Sequence, residues 1–183
     1  LLDPCTGSGT IPIEAAMIAR NIAPGLNRSF ACQEWEFIDD KFWKEEKKAA
    51  FEAIDYDSEL KIYGFDINRK AVDAAIENAE EAGVDDCIVF KKADASKLRP
   101  IGENGIIVTN PPYGERIGEE EEILQIYDGF NRFFKENPDW SLFMITTDKE
   151  AEEKVMGREA NRRRKLYNGR LETCYYQFHG ERK

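Results

Sequence analysis

Histidine is nearly missing from this chain of 183 residues: His179 is the only one, standing near the end of the last predicted strand. It reads as incidental rather than catalytic, so chemistry resting on an imidazole base is not expected. The four cysteines, Cys5, Cys32, Cys87 and Cys174, are widely spaced and make no metal-ligand pattern. No signal peptide, membrane-spanning run, repeat or low-complexity segment is visible. The basic residues are outnumbered by acidic ones. Against 36 acidic residues there are 26 Lys and Arg, for a net charge of −10. A nucleic-acid binder that worked alone would be handicapped by that balance, because phosphate contacts dominate affinity. The one dense basic run is Arg158, Arg162, Arg163, Arg164 and Lys165, with Arg170 beyond it. It suits a phosphate backbone or a solvated helix-to-strand connection equally well. The acidic run from Glu119 to Glu122 opens a predicted helix, where the dipole favours negative charge, and receives no functional role.

What is present alternates between strand and helix patterns from end to end. That alternation argues for a single α/β domain, a three-layer sandwich around a mostly parallel sheet with an antiparallel hairpin at its end. Helices are expected near 10–21, 40–54, 68–82, 119–136 and 148–157. Strands are expected near 61–65, 87–91, 105–109, 140–146, 164–167 and 172–178, the last two joined by a tight turn at Asn168-Gly169. Residues 24–58 form an insertion rich in aromatics (Phe30, Trp35, Phe37, Phe42, Trp43, Phe51), expected to pack as a small cluster of their own. Leu1-Leu2-Asp3 reads as the end of a first strand whose beginning is missing, without an initiating Met. The chain is therefore expected to be the catalytic part, 1–183, of a longer protein.

Four strand ends carry polar groups. Leu1 to Asp3 is followed by Pro4-Cys5-Thr6-Gly7-Ser8-Gly9-Thr10, a glycine-rich turn that opens a helix with Thr10 as candidate N-cap and Pro12 in the first turn. Gly7 and Gly9 allow positive φ and close approach to a ligand. The third glycine of a dinucleotide fingerprint is lacking, as is a phosphate-cradling Gly-Lys-Ser/Thr. Asp3 would repel a pyrophosphate but could engage a cationic or amino-bearing ligand. The second strand ends at Asp66-Ile67, where a carboxylate suits the two hydroxyls of a ribose; the alternative is a helix cap, a role Asn68 fills as well. Asp94-Ala95 follows the third strand and offers an acceptor for an exocyclic amine, or a solvated loop carboxylate. Asn110-Pro111-Pro112-Tyr113 follows the fourth. Its prolines remove two N–H donors and leave carbonyl acceptors, Asn110 adds an amide oxygen, and Tyr113 adds a flat face. Together they suit a flipped-out planar amine; a Pro-rich turn capped by Asn is the plainer reading.

The ordered set Asp-Pro-x-x-Gly-x-Gly, strand-end Asp, loop Asp and Asn-Pro-Pro-Tyr resembles the class I S-adenosyl-L-methionine-dependent methyltransferases that modify exocyclic or amide nitrogens. The extended stretches Asp3 to Thr10 and Asn110 to Arg116 resemble the THUMP-associated RNA guanine-N2 methyltransferases, in particular the bacterial 23S rRNA type. Proteins of this type have also been labelled N6-adenine-specific DNA methylases. The resemblance covers nearly the whole chain, including Arg164 to Arg170. It implies that Asp3, Pro4, Thr6, Gly7 and Gly9 surround the methionine portion of the cofactor and Asp66 the ribose. Ile67, Asp94 and Ala95 would lie near the adenine. Asn110, Pro111, Pro112 and Tyr113 would hold the target guanine, with Asn110 also near the cofactor.

The resemblance further implies an enzyme acting on rRNA that is captured mainly by an amino-terminal region, and reduced thiols together with an RNA substrate favour the cytoplasm. Adenine-N6 in DNA, guanine-N2 in tRNA and a protein glutamine amide remain alternative targets, since the tetrapeptide serves all of them. A binding module that has lost turnover is the alternative outside enzymes; it would be marked by a broken turn or tetrapeptide, and both are intact.

Overall fold

A computed structural model describes residues 1–113 and 119–181. Gly114-Glu115-Arg116, the continuation of the tetrapeptide, lies outside the described residues. Strands β1 (Leu2–Asp3), β2 (Ile62–Asp66), β3 (Ile88–Lys92), β4 (Ile106–Thr109), β5 (Ser141–Thr146), β6 (Arg162–Asn168) and β7 (Leu171–Phe178) form one sheet in the order β3-β2-β1-β4-β5-β7-β6. The first five are parallel; β7 runs antiparallel to both β5 and β6. Leu2 stands opposite Tyr63 on one side and Ile107 on the other, so β1 is the centre from which the chain winds both ways.

Helices cover the two faces. On one, α4 (Glu119–Glu136) buries Ile123, Tyr127, Phe130 and Phe134, spaced at helical repeats, against Leu2, Ile107, Leu142, Met144, Tyr176 and Phe178. Each large apolar side chain so buried contributes about 1.5–3 kcal/mol. On the other, α1 (Thr10–Ala19) and α3 (Arg69–Ala82) bury Ile13, Ala16 and Ala79 over Ile62 and Ile88. Arg20, just after α1, is fixed to Asp86 by two hydrogen bonds of 2.8 and 2.6 Å, which lock that helix to the turn before β3. The architecture is the expected three-layer sandwich with a terminal antiparallel pair.

Several local expectations are corrected. The helix over 148–157 is instead a wide π turn at Glu152–Met156. Asp148 accepts from the Glu150 amide at 2.8 Å, and the Asn131 amide takes the Val155 carbonyl, so regular winding is interrupted at both ends. Strand β6 begins at Arg162, placing the basic run on the outermost strand rather than in a connection. Asn168 is the last residue of β6, paired with Leu171, and the linking pair is Gly169-Arg170, with positive φ at Gly169. The insertion aromatics do not form a core. Phe37 is 81% exposed and Phe42 61%, although Phe30 stacks on Trp43 at 6.3 Å. No residue of helix α2 (Asp40–Glu52) is fully buried, and only Trp43 among its aromatics is half-buried, so the insertion supplies too little enclosing surface to cover all its rings. Among the described residues no helix is long and apolar enough to cross a membrane.

Candidate active site

The carboxyl ends of β1, β2 and β4 meet at a cavity of about 380 Å³, within the range of small-ligand sites. Six of the residues singled out in the sequence line it: Pro4, Asp66, Ile67, Ala95, Asn110 and Pro112. They come from four separate stretches of chain, and the parallel crossovers bring their strand ends to one side of the sheet.

The glycine-rich turn is shaped by two different demands. Gly9, not Thr10, occupies the N-cap of α1, at φ +88, and no side chain caps the helix. A Cβ there would lie 3.0 Å from Ala75 Cβ and 3.1 Å from a Phe90 ring carbon, so Gly9 is required by the packing of α1 on α3 and β3. Gly7, at φ +53, would meet nothing within 4 Å and leaves open space above the turn. Its amide donates to Asp66 Oδ2 at 3.0 Å, while Asp66 Oδ1 accepts from the Asn68 amide at 2.8 Å. Asn68 itself caps α3 through the Lys70 amide. An ionised carboxylate has about four acceptor positions, so Asp66 keeps capacity for a diol after these two bonds.

Asp3 lies deeper than expected. It is 1% exposed, and its Oδ1 accepts from Thr109 Oγ1 at 2.8 Å and from the Cys5 amide at 3.1 Å. Burial pushes its carboxyl up to about 7, opposed by these two hydrogen bonds and reinforced by the negative Asp66 nearby. Burial likewise pushes the Cys5 thiol up to about 12, which leaves it a poor nucleophile. Thr6 Oγ1 is enclosed and has no hydrogen-bond partner among the described residues.

Asp94 is more occupied than a free acceptor would be. Its Oδ1 accepts from Ser96 amide and hydroxyl at 2.9 and 2.7 Å, and Lys97 stands 3.2 Å from Oδ2. Ser96 and Lys97 hold its carboxyl below the usual range, the Ser96 bond most of all. Asp94 lines a neighbouring space of about 280 Å³ that shares Pro4 and Ala95 with the first. Of the tetrapeptide, Asn110 and Pro112 are exposed at the cavity while Pro111 is buried. Tyr113 is half-buried, with its hydroxyl enclosed and unpartnered among the described residues.

Glu122, Gln125 and Ile126 of α4 complete the cavity wall and were not anticipated. Their spacing of three and four marks one helix face, but nothing local says what that face meets.

The donor set suits a nucleoside bearing an amino-acid arm. There is a strand-end carboxylate for a ribose, an orphaned hydroxyl and open backbone at the turn, and apolar Ile67 and Ala95 for a purine ring. Residues 1–177 match the family described as RMKL-like, methyltransferase domain. A protein of Bacillus subtilis (strain 168), YpsC, provisionally named an RNA methyltransferase, is 44% identical over 177 residues, which cover 97% of this chain and 46% of that protein. Ribosomal RNA large subunit methyltransferase K/L of Shewanella baltica (strain OS185) is 43% identical over 180 residues, covering 96% and 25% respectively. The crystal structure of a protein provisionally assigned as a methyltransferase, complexed with SAH, superposes with a TM-score of 0.93 at 41% identity, over all of this chain and 48% of that one. The chain thus spans about half the length of the Bacillus relative and a quarter of the Shewanella one.

Proposed function

The chain belongs to the RMKL-like methyltransferase domain family, whose cofactor is S-adenosylmethionine, and on that premise we propose that it methylates the exocyclic N2 amine of a guanine in large-subunit ribosomal RNA. The observation that carries this reading is that one cavity is lined by both Asp66 and Asn110, which offers acceptors for a nucleoside cofactor beside an acceptor for a planar amine. When bound, the cofactor supplies an electrophilic methyl group on a sulfonium.

The residues of the chain then have three tasks. Asp66 accepts from the ribose hydroxyls, while the open turn at Gly7 and the Thr6 hydroxyl take the amino-acid arm. Asn110 and the Pro111 carbonyl accept the amine N–H bonds, which turns the nitrogen lone pair away from the guanine ring and toward the methyl group. The same acceptors stabilise the positive charge that develops on nitrogen during transfer. Holding both partners at near-attack distance supplies most of the acceleration. The amine proton leaves to water afterwards, so no general base is assigned. Tyr113 stacks on the target base and offsets part of its lost stacking in RNA.

Nucleoside mass spectrometry of ribosomal and transfer RNA from a deletion strain tests the substrate. Loss of N2-methylguanosine from large-subunit rRNA is expected. Unchanged rRNA with altered tRNA or DNA nucleosides would reject the rRNA target and leave methyl transfer standing.

A further inference from the structure

Six cations lie between Arg158 and Arg170 in a chain whose net charge is −10, and the described site uses none of them. Five fall on or beside β6, which ends the sheet and has a neighbour on one side only. All seven of its residues are exposed. Arg163 is 3.4 Å from Glu152, and Lys165 pairs with Glu172, which Lys149 also approaches at 3.7 Å. Arg162, Arg164 and Arg170 have no carboxylate partner among the described residues. Edge strands often carry charge simply to prevent pairing with another chain. That role does not call for the apolar and aromatic groups found beside the cations. Tyr167 is 65% exposed, Leu166 41% and Leu171 37%, with Lys165 Nζ over the Tyr167 ring at 5.4 Å.

Register gives this hairpin a direction. Thr146, the last residue of β5, stands opposite Cys174, so the pairs Leu166–Thr173, Tyr167–Glu172 and Asn168–Leu171 continue past it. Those pairs extend roughly 10 Å beyond β5 at about 3.3 Å per residue. They do so at the carboxyl end of the parallel strands, the end that carries Asn110. Sideways, β6 is three strand spacings from β4, roughly 14 Å at about 4.8 Å each. A nucleic acid with one base at Asn110 would therefore pass the hairpin within a few nucleotides.

We propose that the β6–β7 hairpin grips single-stranded RNA that crosses its free edge beside the target base: Tyr167 at the tip stacks on a flanking base, Arg170 in the turn holds a phosphate, and Arg164, level with Ile145 of β5 and on the opposite face of β6 from Tyr167, holds another across the edge. The proposal rests on the RNA reading above and adds to it a second, separate contact surface. Cations fix the backbone without reading sequence, and an exposed ring accepts any base, so the hairpin confers affinity and orientation rather than selectivity.

The test is fluorescence anisotropy of a labelled single-stranded oligoribonucleotide with the wild-type protein, an Arg164→Gln/Arg170→Gln double variant and Tyr167→Ala. The double variant is expected to raise Kd about tenfold and to flatten the salt dependence by about 1.4 in log–log slope, at about 0.7 per phosphate contact. Tyr167→Ala is expected to weaken binding at least about fivefold with the slope unchanged. Calorimetric affinity for S-adenosylhomocysteine should stay within about twofold in both, since neither touches that cavity. Unaltered RNA affinity and slope would overturn the proposal, and so would parallel loss of cofactor affinity or failure of the wild type to bind the probe. Methylation is not the readout. A protein that binds through the hairpin but methylates no RNA loses the guanine assignment and keeps this one; a methylating protein indifferent to all three substitutions does the reverse.

Discussion

The Gly7 amide donates to Asp66 Oδ2 at 3.0 Å, so the turn after β1 is held in place by the carboxylate that ends β2. Two segments 59 residues apart thereby meet at the cavity, which the Asp66 side chain lines while it holds the turn.

Replacing Asp66 separates those duties. Asp66→Ala removes the acceptor for both Gly7 and Asn68 amides and for a ribose, and should weaken cofactor binding about a hundredfold or more with about 1–3 kcal/mol lost in stability. Asp66→Asn retains one acceptor oxygen and should fall between. Calorimetric titration with S-adenosylhomocysteine, beside urea unfolding, measures both; wild-type cofactor affinity in Asp66→Ala would remove this residue from the site.

Asp3 makes stability depend on pH. Its folded-state value is about 7 against an ordinary 3.8, so between those values the native state holds a proton the unfolded chain has released. The contribution of this group is most favourable below about pH 4, declines as pH rises toward 7 and is flat above. The loss is a few kcal/mol at most. Asp3→Asn cannot ionise and should show a shallower decline in stability between about pH 4 and 7 than the wild type. Parallel urea-denaturation curves for the two proteins would mean that Asp3 does not titrate in that window.

Gly7→Ala and Gly9→Ala should fail in different ways. Both force positive φ on alanine, at about 1–2 kcal/mol. Only Gly9 adds steric contacts, with Ala75 Cβ and Phe90, so Gly9→Ala should lose several degrees more in melting temperature. Gly7→Ala should fold nearly as well and show its defect in cofactor affinity, because its methyl group enters the open space above the turn. Equal melting temperatures for the two variants would count against the packing role of Gly9.

Asn110→Ala should lose turnover while keeping cofactor affinity within a few-fold. A positioned acceptor that acts on developing charge is worth about a hundredfold or more in rate. Single-turnover methylation of rRNA transcribed without modification reads the loss. Near-normal turnover would show that the amide does not meet the amine.

The strand ends were readable because their signals are local. Apolar runs of four to six residues, punctuated by Gly, Pro and Asp, mark β2 to β5; Asn68 sits where a helix cap belongs; and Asn168-Gly169 announces a hairpin to within one residue. The position of the turn is one step later because Asn168 pairs with Leu171, and pairing register depends on both strands. Tyr113 offers a flat face in the sequence, and only the fold shows that its hydroxyl is enclosed.

By itself, the sequence determined the alternation of strands and helices, the polar residues at their ends and the family to which they conform. Tertiary structure alone decided what each of those residues faces. Asp3, a candidate ligand carboxylate in the sequence, accepts from Thr109, 106 residues away, because β1 and β4 become neighbours only when the chain crosses over. Asp94 is tied to Ser96 and Lys97, Gly9 is fixed by Ala75 and Phe90, and α4 brings Gln125 to the cavity. Backbone preference acts over a few residues, whereas burial and partnership depend on which strands lie side by side.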